Sequence, residues 1–367
     1  MNKINTFNFT PFFKNGIDGV IPKEKIKRGK ALNLASNEFI HPISDTITQD
    51  IVSTIKTEHI VQYNYHPELL VNLSEFYSIP TENLLVSAGS DDAIKIITEA
   101  IIMNSKKLIL QYPNYENYVR YAELRGVYIE KIWPLENKIY AFQQFQDKIK
   151  SSNSSTIVIT NPNGISGFCF SLEEMTHLAE IALRNNNLLI IDEAYIPFNG
   201  FDHLSIINNF DNVILIRSFS KSFGVAGLRL AVVFSSSKII KYLEKWNSAN
   251  AITTMSIHLL NELVKRYDQI KKAHLDIINA RDDISSYLKN CFSDWTVLPT
   301  KGNFITVQTN ERFSSKDLIS YFYNNNIILR DLSSVSGFTE CFRMTVPHGE
   351  INKHLVSLFD NYQKLYS

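Results

Sequence analysis

The fold of this chain is decided by residues 217–230, which read "RSFSKSFGVAGLRL". The preceding run, "NVILI" (212–216), has the unbroken apolar character of a buried strand. Three serines then surround a single lysine, Lys221, and glycines and an arginine, Arg229, follow. Hydroxyl groups, an amine and a guanidinium clustered where a strand ends are typical of a loop that binds an anion.

Similar strands recur on both sides of this stretch, and helices alternate with them. Each strand is an unbroken apolar run, so we expect both of its faces to be buried beneath helices. Helices are predicted over 90–102, 115–126 and 171–186, the second ending at Gly126 and the third opening with the capping box of Ser171 and Glu174. The sequence therefore predicts an α/β fold whose mostly parallel central sheet has helices on both faces. The predicted strands are "NLLVSAG" (83–89), "KKLILQYP" (106–113), "STIVITNPNG" (155–164), "NLLIIDEAYIPF" (187–198) and "DNVILIRSFSK" (211–221).

The composition excludes several classes of protein. The chain has 367 residues, of which 44% are apolar and 20% charged, and its net charge is zero. This length suffices for two domains, and the charge balance gives no indication of a nucleic-acid partner. The start of the chain lacks the apolar core of a signal peptide and no apolar run reaches membrane length, so we expect a cytoplasmic protein with no membrane partner. The three cysteines are expected to be free thiols, and the spacing of the nine histidines predicts no metal site.

Polar residues gather at the carboxyl ends of the predicted strands. Ligands of open parallel sheets bind in the crevice at these ends, so one ligand touched by several loops would explain all of them. The segment "GSDDAI" opens a helix whose free backbone N–H groups suit a phosphate, and Ser218, Ser220 and Arg229 add further donors. These polar positions are Ser90–Asp91, Tyr115, Asn161–Asn163, Asp192–Tyr195 and Ser218–Lys221.

Three residues specify the rest of the ligand. Asp192 ends a hydrophobic strand and needs a cationic partner, because burying a carboxylate alone is costly. Tyr115 can lie flat on a ring, and Lys221 can form a covalent imine with an aldehyde. A phosphate, a protonatable ring and an aldehyde together describe pyridoxal 5′-phosphate.

Four segments, "NPNGISG", "DEAY", "SFSKSFGVAGLR" and "FRMTV", resemble in order and spacing the motifs of fold-type I aminotransferases that depend on pyridoxal phosphate. The histidinol-phosphate aminotransferase branch is the best match, and the resemblance extends from residues 32–38 to 341–346. It implies a large cofactor-binding domain over 45–275, an N-terminal arm over 1–44 and a small α+β domain over 285–367. A long helix over 259–290 would bridge the two domains, and the strands of the small domain would include 303–308 and 341–346. The family's active sites lie at a homodimer interface, so a homodimer is implied here.

The resemblance implies a role for each residue of the cofactor site. Lys221 would form the Schiff base and carry the proton between the substrate and the cofactor. Asp192 would pair with the pyridinium nitrogen, and Tyr195 would hydrogen-bond the ring oxygen O3′. Tyr115 would stack on the ring. The phosphate would be held by Ser90, Asp91, Ser218, Ser220 and Arg229.

Other residues would face the substrate or the second subunit. Arg343 would grip the carboxylate of the amino donor with two parallel hydrogen bonds, and Arg330 would lie near the substrate. Asn37 would lie near the substrate entrance. A tyrosine of "QYNYHPE" would reach the partner subunit's cofactor phosphate, with Tyr63 as the first candidate and Tyr65 as the alternative.

One turn departs from the family pattern. The usual turn is N-P-N-N-P-T-G, in which the asparagine before the second proline hydrogen-bonds O3′. Here the turn is "NPNGISG" (161–167), and Gly164 stands at that position. Either Asn163 covers O3′ or the bond is absent, so the sequence specifies the cofactor better than the reaction.

Three functions remain open from the sequence. The first is an aminotransferase that moves an amino group between an amino acid, with glutamate as the first candidate, and a small phosphorylated substrate such as histidinol phosphate. The second is a decarboxylase of an amino-acid phosphate, because threonine-phosphate decarboxylases share this scaffold and these motifs. The third is a cofactor-binding protein without catalysis, against which the intact Lys221, Asp192 and Arg229 argue.

Overall fold

The computed structural model describes residues 20, 29–63, 67–310 and 312–365. The strands, in chain order, are β1 (Leu32–Asn33), β2 (Leu84–Ser87), β3 (Leu108–Gln111), β4 (Ile129–Ile132), β5 (Thr156–Thr160), β6 (Leu188–Asp192), β7 (Val213–Ser218), β8 (Ala231–Ser235), β9 (Thr296–Val297), β10 (Phe304–Gln308), β11 (Ile327–Ile328), β12 (Arg330–Asp331) and β13 (Cys341–Thr345). The α-helices are α1 (Ile43–Val52), α2 (Glu58–Val61), α3 (Pro67–Tyr77), α4 (Ser90–Ala100), α5 (Glu116–Arg125), α6 (Phe142–Lys150), α7 (Leu172–Arg184), α8 (Phe219–Ser222), α9 (Ser237–Leu243), α10 (Thr254–Val264), α11 (Tyr267–Cys291), α12 (Ser315–Asn324) and α13 (Glu350–Lys364).

Seven strands form the large sheet, in the order β2-β8-β7-β6-β5-β3-β4. Only β8 runs antiparallel to its neighbours, so the predicted α/β fold with a mostly parallel sheet is confirmed. Successive side chains of a strand point to opposite faces: Ile157 and Ile159 of β5 enter one apolar core, while Val158 enters the other. Helices α3, α6, α7 and α10 cover the first face, and α4, α5 and α9 cover the second.

The local signals that bound two helices act as predicted. At the start of α7, the hydroxyl of Ser171 accepts the N–H of Glu174 at 3.1 Å and the Glu174 carboxylate accepts the N–H of Ser171 at 2.8 Å. At the end of α5, Gly126 adopts the left-handed conformation with φ of 72°, which a glycine reaches without strain. These signals fix where α7 begins after β5 and where α5 ends before β4.

A second sheet is antiparallel, with the strand order β12-β13-β10-β9, and it has a separate apolar core. The N-terminal arm joins this part of the molecule, because β1 pairs in parallel with β11. The division into a large domain over 45–275, an arm over 1–44 and a small domain over 285–367 stays a prediction.

The predicted long helix over 259–290 is wrong, because the structure contains two helices, α10 and α11, separated at Lys265 and Arg266. Arg266 leaves the helical conformation, with φ of −105° and ψ of 14°. Its Nη1 donates to the backbone carbonyl of Glu262, and the Glu262 carboxylate accepts from Lys265 at 2.6 Å and from Arg266 at 2.8 Å. These contacts satisfy the end of α10 and allow the chain to turn before α11 begins.

Two expectations from the sequence concern membrane-spanning helices and the state of the cysteines. Among the described residues, no helix is long and apolar enough to cross a membrane. Cys169, Cys291 and Cys341 are all free, as predicted from their spacing.

Candidate active site

Two loops build an anion cradle at the carboxyl edge of the large sheet. Ser87 at the end of β2 and Ser218 at the end of β7 both pair with Ala231 of β8, so the loops that follow them lie side by side. Gly89 precedes α4 with φ of 88°, and a Cβ there would lie 2.7 Å from Nη2 of Arg229. A glycine therefore lets the Arg229 guanidinium lie against the first turn of α4. We call residues 87–91 and 218–229 the anion cradle.

The cradle offers the kinds of donor that the sequence predicts. Ser218 caps α8, since its Oγ accepts the N–H of Ser220 at 3.3 Å, and both serines are buried. Nη2 of Arg229 donates to Oδ2 of Asp91 at 3.3 Å. The structure thus brings Ser90, Asp91, Ser218, Ser220 and Arg229 into one cradle. Their contact with a phosphate stays a prediction.

Lys221 lies in α8, and its side chain meets the N-terminal arm. Its Nζ donates to the backbone carbonyl of Ser36 at 2.7 Å. The carbonyl of the next residue, Ser222, accepts a hydrogen bond from Nε2 of the buried His274 of α11 at 2.5 Å. Burial lowers the pKa of His274 to about 4, so its imidazole stays neutral and holds the backbone beside Lys221 in place.

Asp192 ends β6 as a carboxylate that is only 3% exposed. Its Oδ2 accepts the hydroxyl of Tyr118 at 3.0 Å, and its Oδ1 accepts the N–H of Ala194 at 3.2 Å. No lysine, arginine or histidine of the described residues forms an ion pair with it. Burial raises the pKa of Asp192 to about 6, which the two donors only partly offset. A cationic group placed beside it would relieve this cost.

Glu193, the next residue, is buried in a closed network instead. Its carboxylate accepts from Nδ1 of His203 at 2.6 Å and from Nε of Arg217 at 2.8 Å. The other ring nitrogen of His203 accepts from Nδ2 of Asn161 at 3.2 Å, which fixes the tautomer. Although burial by itself raises the pKa of the Glu193 carboxyl, Arg217 and His203 hold it below its usual range.

Tyr195 is fixed by a residue from the arm. Nδ2 of Asn37 donates to the Tyr195 hydroxyl at 3.0 Å, while the Asn37 backbone N–H donates to Oγ1 of Thr345 at 2.9 Å. Asn37 is fully buried, with φ of 53°. Because the Tyr195 oxygen accepts from Asn37, its own proton remains available for donation elsewhere. The position of Asn37 near the substrate entrance stays a prediction.

The amide of Asn163 is already committed to its own turn. Its Oδ1 accepts the N–H groups of Ile165 and Ser166 at 2.9 and 3.0 Å, and its Nδ2 donates to the carbonyl of Pro113 at 3.0 Å. These bonds would have to break before this amide could reach a ligand, so Asn163 as a cofactor ligand stays a prediction. At Gly164, a Cβ would lie 3.0 Å from Cε2 of Tyr195, so the glycine permits this close approach.

Two arginines face each other across the second sheet. Arg330 of β12 and Arg343 of β13 are directly opposite in the antiparallel register. Arg343 is 8% exposed. Within the described part of the chain, it donates to the backbone carbonyls of Ala35, at 2.8 Å, and of Gly164, while its buried Nε has no partner there. Burial lowers the pKa of Arg343 to about 10, and the charge of Arg330 acts in the same direction. Like charges opposite each other are destabilising, so this pair suits an anionic ligand.

Two tyrosines of the predicted site have different surroundings. The Tyr115 hydroxyl donates to Oδ1 of Asp91 at 2.6 Å, which ties it to the cradle. Tyr63 lies on the surface, 85% exposed, and no described contact joins it to the cradle. Its alternative, Tyr65, lies outside the described residues. Ring stacking by Tyr115 and the cross-subunit contact stay predictions.

Sequence reasoning missed three contributors to this site. Tyr118 donates to Asp192, Asn117 donates to Asp91 at 2.7 Å, and the carbonyl of Ser36 accepts from Lys221. Tyr118 follows Tyr115 by three residues, which places both near one side of the first turn of α5. That spacing was the signal available for Tyr118, whereas nothing in the sequence indicates the Ser36 contact.

Three side chains of metal-binding type do meet, although their spacing in the sequence gave no sign of it. Ligand atoms of His41, Asp276 and His348 lie within 4.8 Å of one another. Nδ1 of His41 accepts the N–H of Ile43 at 3.1 Å, so its Nε2 carries the proton and donates to Asp276 at 3.2 Å. The two imidazoles stack at 4.6 Å. This is the geometry of a hydrogen-bonded pair, because the Nε2 lone pair that a metal needs is not available.

Comparison with known proteins decides the family. The model for aminotransferase class I and II matches residues 29–357. The chain belongs to the class I and II aminotransferases. It is 30% identical to histidinol-phosphate aminotransferase 1 of Legionella pneumophila strain Lens, over 82% of this chain and 84% of that one.

Solved aminotransferase structures share the fold. Histidinol-phosphate aminotransferase from Sinorhizobium meliloti, solved in complex with pyridoxal 5′-phosphate, matches with a TM-score of 0.79 and 17% identity, covering 91% of this chain and 92% of that one. The L-threonine-O-3-phosphate decarboxylase from Porphyromonas gingivalis matches with a TM-score of 0.78 and 16% identity, covering 91% and 99%. The predicted fold-type I architecture is therefore confirmed.

As a class I and II aminotransferase, the chain is an enzyme that depends on pyridoxal 5′-phosphate. The described residues fit this cofactor on two observations. Asp192 is a buried carboxylate without a basic partner among the described residues, as a ring cation would require. Gly89 allows the Arg229 guanidinium to lie against the N-terminus of α4, where a Cβ would come within 2.7 Å of it, so a cation and free backbone N–H groups meet at one place that suits a phosphate.

Proposed function

We propose that this aminotransferase moves an amino group between an amino acid, with glutamate as the first candidate donor, and a small phosphorylated substrate such as histidinol phosphate. One observation carries the proposal. The buried carboxylate of Asp192 has no basic partner among the described residues, and it lies beside the anion cradle, which includes Lys221. The 30% identity to the histidinol-phosphate aminotransferase 1 of Legionella pneumophila, over 82% of this chain, supports the choice of substrate.

Each residue of the proposed site would have its own role in the reaction. Pyridoxal phosphate, when bound, supplies an aldehyde that condenses with amines and a ring that takes up electrons from the substrate. Nζ of Lys221 would hold the aldehyde at rest and would move the proton from the substrate Cα. The Asp192 carboxylate would keep a proton on the ring nitrogen, and the Tyr195 hydroxyl would donate its free proton to the ring oxygen. The cradle would orient the phosphate.

The arginine pair would bind the charged end of the substrate. Arg343 is buried and its Nε has no partner among the described residues, so a carboxylate could replace its backbone acceptors in a bidentate pair. Arg330 is exposed at the edge of the sheet and would meet a second anionic group. Two guanidinium groups opposite one another suit a substrate that carries more than one negative charge.

Decarboxylation of an amino-acid phosphate is the second candidate. It is favoured by one observation: Gly164 provides no side chain at the turn, and the Asn163 amide is engaged within it. The ring oxygen would then have one fewer donor, which changes how charge is distributed during the reaction. The structural likeness to the threonine-phosphate decarboxylase of Porphyromonas gingivalis concerns the fold alone.

We further propose a cytoplasmic homodimer. Ile60, Val61 and Tyr63 are 71%, 68% and 85% exposed beside the segment that contains Tyr65. Large apolar side chains grouped on a surface are typical of a protein interface. A second subunit would cover them and bring a tyrosine to the neighbouring cofactor site. Free cysteines fit a reducing compartment.

The experiment is an absorbance titration of the purified enzyme with bound cofactor. L-Glutamate should convert bound pyridoxal phosphate to pyridoxamine phosphate, and the ketone corresponding to histidinol phosphate, imidazole acetol phosphate, should convert it back. No spectral change with glutamate, together with carbon dioxide release from phosphothreonine, would replace the proposal with the decarboxylase. Binding without either reaction would support a protein that has lost catalysis.

A further inference from the structure

Tyr118 contacts the carboxylate on which the proposed cofactor chemistry depends. It lies in the first turns of α5 and its side chain is fully buried. Its hydroxyl donates to Oδ2 of Asp192 at 3.0 Å. Within the described ranges, the other oxygen of Asp192 accepts the backbone N–H of Ala194 and no further donor. Among the described side chains, Tyr118 is therefore the donor that serves this carboxylate.

We propose that Tyr118 is a positioning residue that keeps Asp192 ionised and aimed at the nitrogen of the cofactor ring. The inference rests on the proposed function, because it assigns the ring cation as the partner of Asp192. A buried carboxylate without donors takes up a proton near neutral pH, whereas each donor stabilises the ionised form. With one oxygen held by Tyr118 and the other by Ala194, the carboxylate keeps a fixed plane and free lone pairs for one further donor.

The remaining groups around Asp192 oppose its ionisation. The carboxylates of Asp91 in α4 and of Glu193, which directly follows β6, both raise the pKa of Asp192, adding to the larger effect of burial. Tyr195, beyond the end of β6, has its own pKa raised by burial and by the Asp192 charge. Only the Tyr118 hydroxyl and a backbone N–H act in the other direction. Loss of the Tyr118 oxygen would therefore leave the opposing groups unbalanced.

The start of α5 also links Asp192 to the anion cradle. Tyr115 and Asn117 both donate to Oδ1 of Asp91, at 2.6 and 2.7 Å, while Tyr118 donates to Asp192. One helical turn thus carries donors to the carboxylate in the cradle and to the carboxylate at the end of β6. This arrangement fixes the two ends of the cofactor site relative to each other.

The test compares Tyr118→Phe with Tyr140→Phe. Tyr140 is also buried, and its hydroxyl donates to the carbonyl of Pro113 at 3.4 Å without touching Asp192. The measurement is the dissociation constant of pyridoxal phosphate from pH 5 to 8, together with the titration of the Asp192 carboxyl carbon by NMR in the cofactor-free protein. In the wild type, we expect affinity to weaken as Asp192 takes up a proton below a pH of about 6.

In Tyr118→Phe, this limb of the profile should move up by about one pH unit, since hydrogen bonds to charged groups have about this magnitude. Affinity should therefore fall about tenfold at pH 5, where Asp192 is mostly protonated in both proteins, and about twofold at pH 7. Tyr140→Phe should overlay the wild type. A profile that does not move in folded Tyr118→Phe would overturn the proposal. Replacing Tyr118 with 3-fluorotyrosine, a stronger donor, should move the limb down, a direction that a packing defect does not predict.

The two proposals fail in different ways. If the wild type does not bind pyridoxal phosphate, the proposed function fails, while the NMR titration still decides whether Tyr118 controls Asp192. If the cofactor binds normally but Tyr118→Phe leaves the Asp192 titration unchanged, only the role of Tyr118 is overturned.

Discussion

Asp192 and Glu193 are neighbours in the chain, and both carboxylates are buried, with exposures of 3% and 1%. Their surroundings differ completely. Glu193 accepts hydrogen bonds from Arg217 and His203 at short distances, and these two donors hold its pKa below the usual range against the effect of burial. Asp192 meets a phenol and a backbone N–H, and burial raises its pKa to about 6.

The difference separates a structural acid from a functional one. Adjacent residues at a strand end point in opposite directions, so one faces the supporting loop and the other faces the crevice. The fold itself provides the partners that Glu193 needs, the guanidinium of Arg217 and the imidazole N–H of His203. Among the described residues, the fold gives Asp192 no cationic partner. We infer that the ring cation of bound pyridoxal phosphate is that partner.

The largest expected effect comes from Asp192→Asn. The amide oxygen can still accept from Ala194 and the amide NH2 can donate to the Tyr118 oxygen, so the fold should persist while the charge opposite the ring nitrogen is lost. We expect the transamination rate constant to fall about 10³-fold, the magnitude found when preorganised electrostatic stabilisation is removed. Single-turnover kinetics with glutamate would measure this. A variant that binds cofactor and reacts within tenfold of the wild type would contradict the functional assignment.

Glu193→Ala should act on stability instead. It leaves Arg217 and His203 buried without their carboxylate, which costs about 3 to 5 kcal/mol when a buried pair loses one partner. Urea denaturation of the cofactor-free protein measures the loss. Asp202→Ala is the matched control, because Asp202 meets Arg217 at 3.3 Å but its side chain is 52% exposed, so at most about 1 kcal/mol is expected. Equal losses of unfolding free energy in the two variants would contradict the structural role of Glu193.

The pH dependence of stability sharpens the comparison further. The pKa of Asp192 is raised from 3.8 to about 6 in the folded state, so the folded protein binds the proton more tightly than the unfolded chain. The stability that this proton provides is present below pH 4 and is lost as the pH rises through 6. The loss is about 2 to 3 kcal/mol, since one pKa unit is worth about 1.4 kcal/mol.

Asp192→Asn lacks this titration. Without cofactor, its unfolding free energy relative to the wild type should therefore increase between pH 4 and pH 7.5. Denaturation curves at the two pH values measure the change. If the difference in unfolding free energy between the two proteins does not change with pH, the pKa of Asp192 is not raised in the folded protein.

The smallest expected effect comes from Asn37→Ala, which removes the donor to Tyr195. We expect kcat/KM to fall about tenfold, in proportion to one hydrogen bond. In a Tyr195→Phe background, the same substitution should have no further effect, because the interaction is already absent. Additive losses in the double variant would mean that Asn37 acts by another route.

Much of this site follows from short-range patterns in the sequence. The apolar run before Asp192 predicts a buried strand, and the position of the aspartate at its end predicts a carboxylate in the crevice. The alternation of strands and helices predicts the sheet, and Ser171 with Glu174 predicts the start of α7. Each of these signals depends on neighbours in the chain, whose spacing is visible in the sequence.

The remaining features depend on contacts between distant segments. Asn37 and Tyr195 are 158 positions apart, and Lys221 is 185 positions from Ser36, so no periodic pattern connects them. The fate of the Asn163 amide depends on backbone groups that only the folded turn brings within reach. The break between α10 and α11 depends on side chains of Lys265 and Arg266 folding back onto Glu262, where helix periodicity alone predicts continuity.

The central claim is that Asp192, and not Glu193, is the acid whose carboxylate pairs with the cofactor ring. The most direct measurement is the ¹⁵N NMR shift of pyridine-labelled pyridoxal phosphate bound to the wild type, to Asp192→Asn and to Glu193→Gln. The account predicts a protonated ring nitrogen in the wild type and in Glu193→Gln, and an unprotonated one in Asp192→Asn. A ring nitrogen that is unprotonated in the wild type, or whose protonation is indifferent to Asp192, would contradict it.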